Sequence, residues 1–161
     1  EIIEYFKTLD TKLDYLIISV GGGGLISGVS SYIKQLSPNT KVIGVEPEGA
    51  KGMSDSIKLG KPLENVSVNS IADSLSAPLH LEYSYNVAKS VIDEMVTVTD
   101  DEMKEFMIYA FDNLKLMLEP ACVAGLAAIK YKINEKLKNK NTLVILCGSN
   151  IDKITWTNLT N

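Results

Sequence analysis

The apolar residues of this chain follow two alternating patterns. In "LDYLIISV" (13–20), "KVIGVE" (41–46), "MVTVT" (95–99) and "TLVILCG" (142–148) nearly every position is apolar and many are β-branched, as in strands buried on both faces. Between these runs the period becomes helical. Ile2, Ile3, Phe6 and Leu9 share one helix face, and "LISGVSSYIKQLS" (25–37) reads as a second helix ended by Pro38. Residues 51–59 read as a short helix closed by Gly60, and 81–93 as a longer one. "TDDE" (99–102) fits a capping box, with Thr99 as N-cap and Glu102 reaching back. Behind it Met103, Phe106, Met107, Ala110, Phe111 and Leu114 form an apolar stripe. "PACVAGLAAIKYKINEKLK" (120–138) opens on a first-turn proline, and its first half is apolar all round, which predicts a buried helix. Residues 60–79 show no period and read as loop.

Apolar strands alternating with helices predict a single α/β domain over residues 1–161, a mainly parallel sheet with helices on both faces. No repeat, low-complexity stretch or linker interrupts it.

One stretch needs more than packing. "SVGGGGLISGV" (19–29) sets four glycines between a strand and a helix. A tight turn needs one or two, and each further glycine costs conformational entropy. A glycine loop feeding a helix N-terminus presents converging N–H groups to an anion. Such a cup needs no cationic side chain, and no lysine lies between Lys12 and Lys34. Two kinds of phosphate suit it. A dinucleotide fingerprint is approximated by Gly22, Gly24 and Ser27, with Glu46 ending the next strand, but Ser27 stands where the third glycine belongs. The other kind is a lone phosphomonoester.

Six motifs in order bear on that choice: "SVGGGGLISGV", "KVIGVEPEGAKGM", "SIADSL", "VTVTDDEM", "LKLMLEPACVAGLAA" and "VILCGSNID". Together they resemble the C-terminal half of the serine/threonine dehydratase and serine racemase family, pyridoxal-phosphate enzymes of fold type II with the tryptophan synthase β-like fold. The resemblance implies that Gly21, Gly22, Gly23, Gly24 and Leu25 wrap the cofactor phosphate. It implies that Cys147 faces the pyridine nitrogen, that Glu119 lies near the cofactor ring, and that Ser74 lies beside its phenolic oxygen. Glu46 and Ala50 match metal-ligand positions, but Gly52 occupies the third, where the family commonly has aspartate; this leaves a divalent cation short of oxygen ligands. The implied substrate is L-threonine or L-serine, and assembly with copies of itself is expected.

The thiol at Cys147 carries no fixed charge. A pyridine nitrogen facing it stays largely unprotonated, which suits β-elimination better than a deep electron sink does. In this family the Schiff-base lysine and an asparagine contacting the phenolic oxygen come before the glycine loop. Neither motif is present, and neither Lys7 nor Lys12 has the right surroundings. No catalytic residue is therefore assigned. The expectation is a fragment lacking the N-terminal strands, the small domain and the Schiff-base lysine, inactive alone. The alternatives are a non-catalytic pseudoenzyme module and a dinucleotide-binding domain of an oxidoreductase.

Composition narrows the classes. The chain carries 16 basic residues, all lysine, against 20 acidic ones, for a net charge of −4, which does not suit a nucleic-acid surface. No apolar run reaches a membrane span of about 18 residues, and no signal-peptide pattern opens the sequence. Cys122 and Cys147 both sit in apolar surroundings, arguing against a disulfide scaffold and for a reducing cytoplasm. His80, the only histidine, sits in the aperiodic loop and reads as a surface residue. The lysines of 130–140 read as a solvated helix face.

Overall fold

The computed structural model describes residues 1–161. Four strands, β1 (Tyr15–Ser19), β2 (Lys41–Pro47), β3 (Glu94–Val98) and β4 (Thr142–Val144), form one sheet in the order β3-β2-β1-β4. Every pairing is parallel, with Ile17 opposite both Ile43 and Val144, and Val45 opposite Val96. The helices are α1 (Ile2–Thr8), α2 (Gly24–Leu36), α3 (Gly52–Leu59), α4 (Glu82–Val91), α5 (Asp100–Tyr109), α6 (Pro120–Ala128), α7 (Asn134–Leu137) and α8 (Lys153–Thr160).

The continuous apolar runs resolve into two faces because side chains alternate along a strand. Leu16, Ile18, Val20 and Val42 enter one core with Ile26, Ile33, Met53, Tyr85 and Ala88 from α2, α3 and α4. Ile17, Ile43, Val45 and Val98 enter the other with Met103 and Met107 of α5 and the small residues of α6. Small side chains let α6 lie close across β1, β2 and β3. A Cβ on Gly125 would come within 2.6 Å of Val144 Cγ2. The capping box forms as the sequence predicts: Thr99 Oγ1 accepts from the Glu102 N–H at 3.1 Å, and Glu102 Oε2 accepts from the Thr99 N–H at 2.8 Å. Asp93 fastens one sheet corner, accepting from Lys34, Lys41 and the Val42 N–H. Burial pushes its pKa up, but these donors, Lys34 first, outweigh burial and lower it.

Several expectations are corrected. The last strand does not run to residue 148: β4 ends at Val144, with one further bond from the Ile145 N–H to the Ile17 carbonyl, and it is an edge strand, only half-buried. Phe111 and Leu114 leave the apolar stripe for solvent, because α5 widens into a π-helical turn at Ala110–Leu114 that rotates them away. The helix of 120–138 is likewise interrupted by a π turn at Ile129–Ile133. His80 is not on the surface; it is buried against α3, where a Cβ on Gly52 would come within 2.6 Å of its Nε2. Burial lowers its pKa. The helix α8 at Lys153–Thr160 is not announced by any apolar period in the sequence. Asp152 caps α8 by accepting from the N–H groups of Ile154 and Thr155, and Trp156 packs against Phe111 with centroids 5.1 Å apart and the rings tilted by 46°.

Candidate cofactor site

The strand order locates the site. From β1 the chain moves to β2 and β3 on one side, then returns to place β4 on the other. The switch point lies between β1 and β4, where α/β sheets open a crevice beyond the strand ends. The glycine loop leaves β1 there, and the segment carrying Cys147 leaves β4 beside it. Ser74 arrives on the short turn Asp73–Leu75, and Glu119 is the residue before α6. A cleft of about 240 Å³ brings together Gly21, Gly22, Gly23, Gly24, Leu25, Ser74, Glu119 and Cys147. All eight residues assigned to the cofactor from the sequence line this one space.

The four glycines differ in what the fold requires of them. A Cβ on Gly21 would lie 3.0 Å from the Leu75 Cα and 3.1 Å from the Ser74 carbonyl oxygen, so Gly21 lets two backbones meet. Gly23 is the N-cap of α2 with φ at +88°, a left-handed conformation that favours glycine. Gly22 has only Ala77 at 4.0 Å, and Gly24 has nothing within 4 Å. Packing within the chain thus accounts for two glycines and leaves two bare beside the cleft. The α2 N-terminus has no side-chain cap, unlike α5 and α8, and no acidic residue in its first turn, unlike α5. Its leading N–H groups lack intrahelical partners. A cradle that side chains at 22 and 24 would fill, floored by free N–H groups, fits a phosphate.

Glu119 is buried. Its Oε1 accepts from Ser74 Oγ at 2.9 Å and its Oε2 from the Asn150 N–H at 3.1 Å. Gly148 makes room for it, since a Cβ there would lie 2.7 Å from Glu119 Oε1. One carboxylate therefore joins the Ser74 turn, the start of α6 and the segment after β4. Cys147 is exposed in the cleft, which corrects the expectation of apolar surroundings; the chain has left the ladder before reaching it. Cys122 also lines the cleft but is buried in the first turn of α6, and burial pushes its thiol up to about 11, with the Glu119 charge adding to this. Sequence reasoning missed Cys122 and Ser19 as lining residues. The one available signal was that Cys122 follows Glu119 by three positions across a helix start. No lysine lines the cleft.

Glu46 does other work than the metal role implied for it. Its carboxylate, fully buried, accepts from the Met53 and Ser54 N–H groups at 2.7 and 2.9 Å and from Ser54 Oγ at 2.6 Å. It holds the amino end of α3, and burial raises its pKa despite these donors. Ala50 is buried nearby, His80 fills the space at Gly52, and no three His, Cys, Asp or Glu residues are grouped to hold a metal. The same bonds remove Glu46 as the ribose-binding acid of a dinucleotide site, so that alternative is not favoured.

Comparison with known proteins accords with this geometry. The chain belongs to the pyridoxal-phosphate dependent enzyme family, whose model matches residues 1–148. It is 46% identical to the phenylserine dehydratase of Ralstonia pickettii over 144 residues, which are 89% of this chain and 44% of that protein. It is 33% identical to the biosynthetic L-threonine dehydratase IlvA of Halalkalibacterium halodurans over 150 residues, 93% of this chain and 36% of the relative. Among solved structures, the processed form of threonine deaminase isoform 2 from Solanum lycopersicum superposes with a TM-score of 0.88 at 34% identity, covering 98% of this chain and 46% of that one. Serine racemase from Dictyostelium discoideum gives 0.81 at 34% identity, covering 93% and 48%. The chain spans less than half the length of these curated relatives. No helix is long and apolar enough to cross a membrane.

Proposed function

We propose that this chain is the phosphate-holding portion of a pyridoxal-phosphate dependent dehydratase acting on small β-hydroxy amino acids, L-threonine or L-serine first. Such an enzyme eliminates water between Cα and Cβ and releases ammonia and a 2-oxo acid. The observation that carries the reading is the convergence of the glycine loop, Ser74, Glu119 and Cys147 on one cleft at the switch point. When bound, pyridoxal phosphate supplies an electron sink for cleavage of bonds to Cα.

The chain's own residues have separable tasks. The N–H groups from Gly21 to Leu25 bind and orient the phosphate. Cys147, on the cleft wall, would be the residue offered to the ring nitrogen, a side chain with no permanent charge to hold a proton there. Glu119, held by Ser74 and Asn150, keeps the Ser74 hydroxyl at a fixed place on the cleft wall. With no lysine in the cleft, the amine that anchors the cofactor and moves the Cα proton has to come from elsewhere.

Titration of the 161-residue chain with pyridoxal phosphate, and with pyridoxal lacking the phosphate, tests the cup. The phosphate ester is expected to bind and pyridoxal to bind at least about tenfold more weakly, a difference of about 1.4 kcal/mol. Equal binding of both would overturn the phosphate role. The reaction is tested on the whole enzyme with L-threonine, L-serine and phenylserine, following 2-oxo acid release and the D-amino acid. A racemised product without 2-oxo acid would replace the dehydratase reading with a racemase one, which the serine racemase likeness makes the next candidate.

A further inference from the structure

The sheet has an open edge at β3, at the opposite end of the strand order from β4. β3 pairs only with β2. The Asp93 N–H donates to the Val42 carbonyl at 2.9 Å, which fixes the direction of the main chain entering the strand. Since main-chain groups alternate along a strand, those of Met95 and Thr97 face β2, and those of Glu94 and Val96 face outward. No backbone group elsewhere in the chain bonds to either of them.

This edge is the wall of a groove of about 500 Å³, lined by six consecutive residues, 92–97, the last four of them in β3. Elements on both faces of the sheet bracket it: α3 and α4 on one side and Lys132, in the π turn after α6, on the other. Its charges do not balance. The Lys132 ammonium is held by Glu102 at 2.8 Å, Asp93 by Lys34 and Lys41, and Glu94 by Lys136. Lys51 and Lys89 have no acidic partner, and Lys58 reaches Asp55 only at 4.0 Å. All three are exposed, and Glu48 is the one acid of the groove left without a cation. A rail of unpaired N–H and C=O groups under an excess of lysine matches the requirements of an added strand with acidic side chains.

We infer that the β3 edge is a docking site for an extended acidic peptide segment, which adds to the sheet beside β3 and sets its carboxylates against Lys51, Lys58 and Lys89. The main chain of Glu94 and Val96 supplies the register, and the lysines supply the selectivity for acid. This groove is separate from the cofactor cleft and does not depend on the proposed reaction.

The probe is a fluorescein-labelled heptapeptide of alternating glutamate and valine, titrated against the 161-residue chain by anisotropy. It is expected to bind, while the lysine–valine counterpart does not. The double charge reversal K51E/K89E, at two exposed positions, is expected to weaken binding about tenfold or more. N-methylation of alternate peptide amides keeps the charge and removes the strand hydrogen bonds, with a similar loss expected. Hydrogen exchange is expected to slow at the Glu94 and Val96 amides on binding. No binding of the acidic peptide at about 1 mM would overturn the inference. So would equal binding of the N-methylated peptide, which would mark simple charge attraction to exposed lysines.

Discussion

The Ser74 hydroxyl donates to Glu119 Oε1 at 2.9 Å, joining two cleft residues 45 positions apart in the chain. A hydroxyl donating to a buried carboxylate matters, because leaving one of its oxygens without a donor is costly. Ser74→Ala is expected to lower stability by about 1–2 kcal/mol, read as a shift of the urea midpoint, because Asn150 alone remains to serve the carboxylate. Glu119→Gln keeps an acceptor for Ser74 and is expected to cost less. If Ser74→Ala left the midpoint unchanged, the pair would not be holding the cleft wall.

The glycine loop divides into structural and ligand-facing positions. Gly22→Ala and Gly24→Ala add a methyl group to open space and are expected to leave stability equal or raised by about 0.4–1 kcal/mol. Both are expected to weaken pyridoxal phosphate binding about tenfold or more. Gly21→Ala pushes against the main chain of Leu75 and is expected to destabilise the fold by about 1–3 kcal/mol. Calorimetry and thermal melting together separate the two classes. Loss of stability without loss of affinity at Gly22 would contradict the division.

The two thiols are expected to differ in reactivity. Cys147 is exposed in the cleft, whereas Cys122 is buried with its pKa pushed up to about 11, leaving almost no thiolate at neutral pH. Iodoacetamide at pH 8 is expected to add once, at Cys147, and excess pyridoxal phosphate to slow that addition. Peptide mass mapping decides it. A first adduct on Cys122, or no protection of Cys147 by the cofactor, would count against the placement of Cys147 at the ring.

His80 gives the fold a pH dependence of known sign. Burial holds its folded pKa below the ordinary 6.5, so the unfolded chain binds the proton more readily. The stability it contributes is complete above about pH 6.5 and is lost as pH falls through that value toward the folded pKa. His80→Gln is expected to flatten the stability profile on the acid side of about pH 6.5. Parallel profiles for the two proteins would show that burial does not shift the imidazole between the folded and unfolded states.

The parts of the fold legible in the sequence were those with a repeating signal. Ile17 and Ile18 point to opposite cores, yet both are buried, so the strand showed as an unbroken apolar run. Thr99 and Glu102 announce a helix start because both halves of the cap lie within four residues. The glycine loop was legible because four adjacent glycines exceed what a turn needs. What stayed hidden depends on distant partners or small departures from regular geometry. His80 is buried by the gap that Gly52 leaves, 28 positions earlier, and an isolated residue in an aperiodic loop carries no sign of that. Phe111 and Leu114 keep the α-helical spacing, but one π turn moves them off the stripe. In α8 the threonines at 155, 157 and 160 have weak helix propensity, so Asp152 and the packing of Trp156 decide what the local sequence does not. The glutamate at 46 fits a ribose-binding acid by ending a strand and a metal ligand by family resemblance; its actual partners, Met53 and Ser54, depend on how the following turn folds back.

The placement of β4 also sets a timetable for the newborn chain. Asp14 accepts from the Asn141 N–H across 127 residues, at the edge where β1 meets its last partner. A ribosome adding about 5–20 residues per second needs about 6–25 s to cover that interval. β1 and β2 can pair early, but throughout this time the other edge of β1 is unprotected, and the cofactor cleft lacks the wall that carries Cys147. Chaperone capture of the nascent chain should therefore persist until β4 has emerged from the exit tunnel and paired with β1, the step that closes this edge and completes the cleft wall.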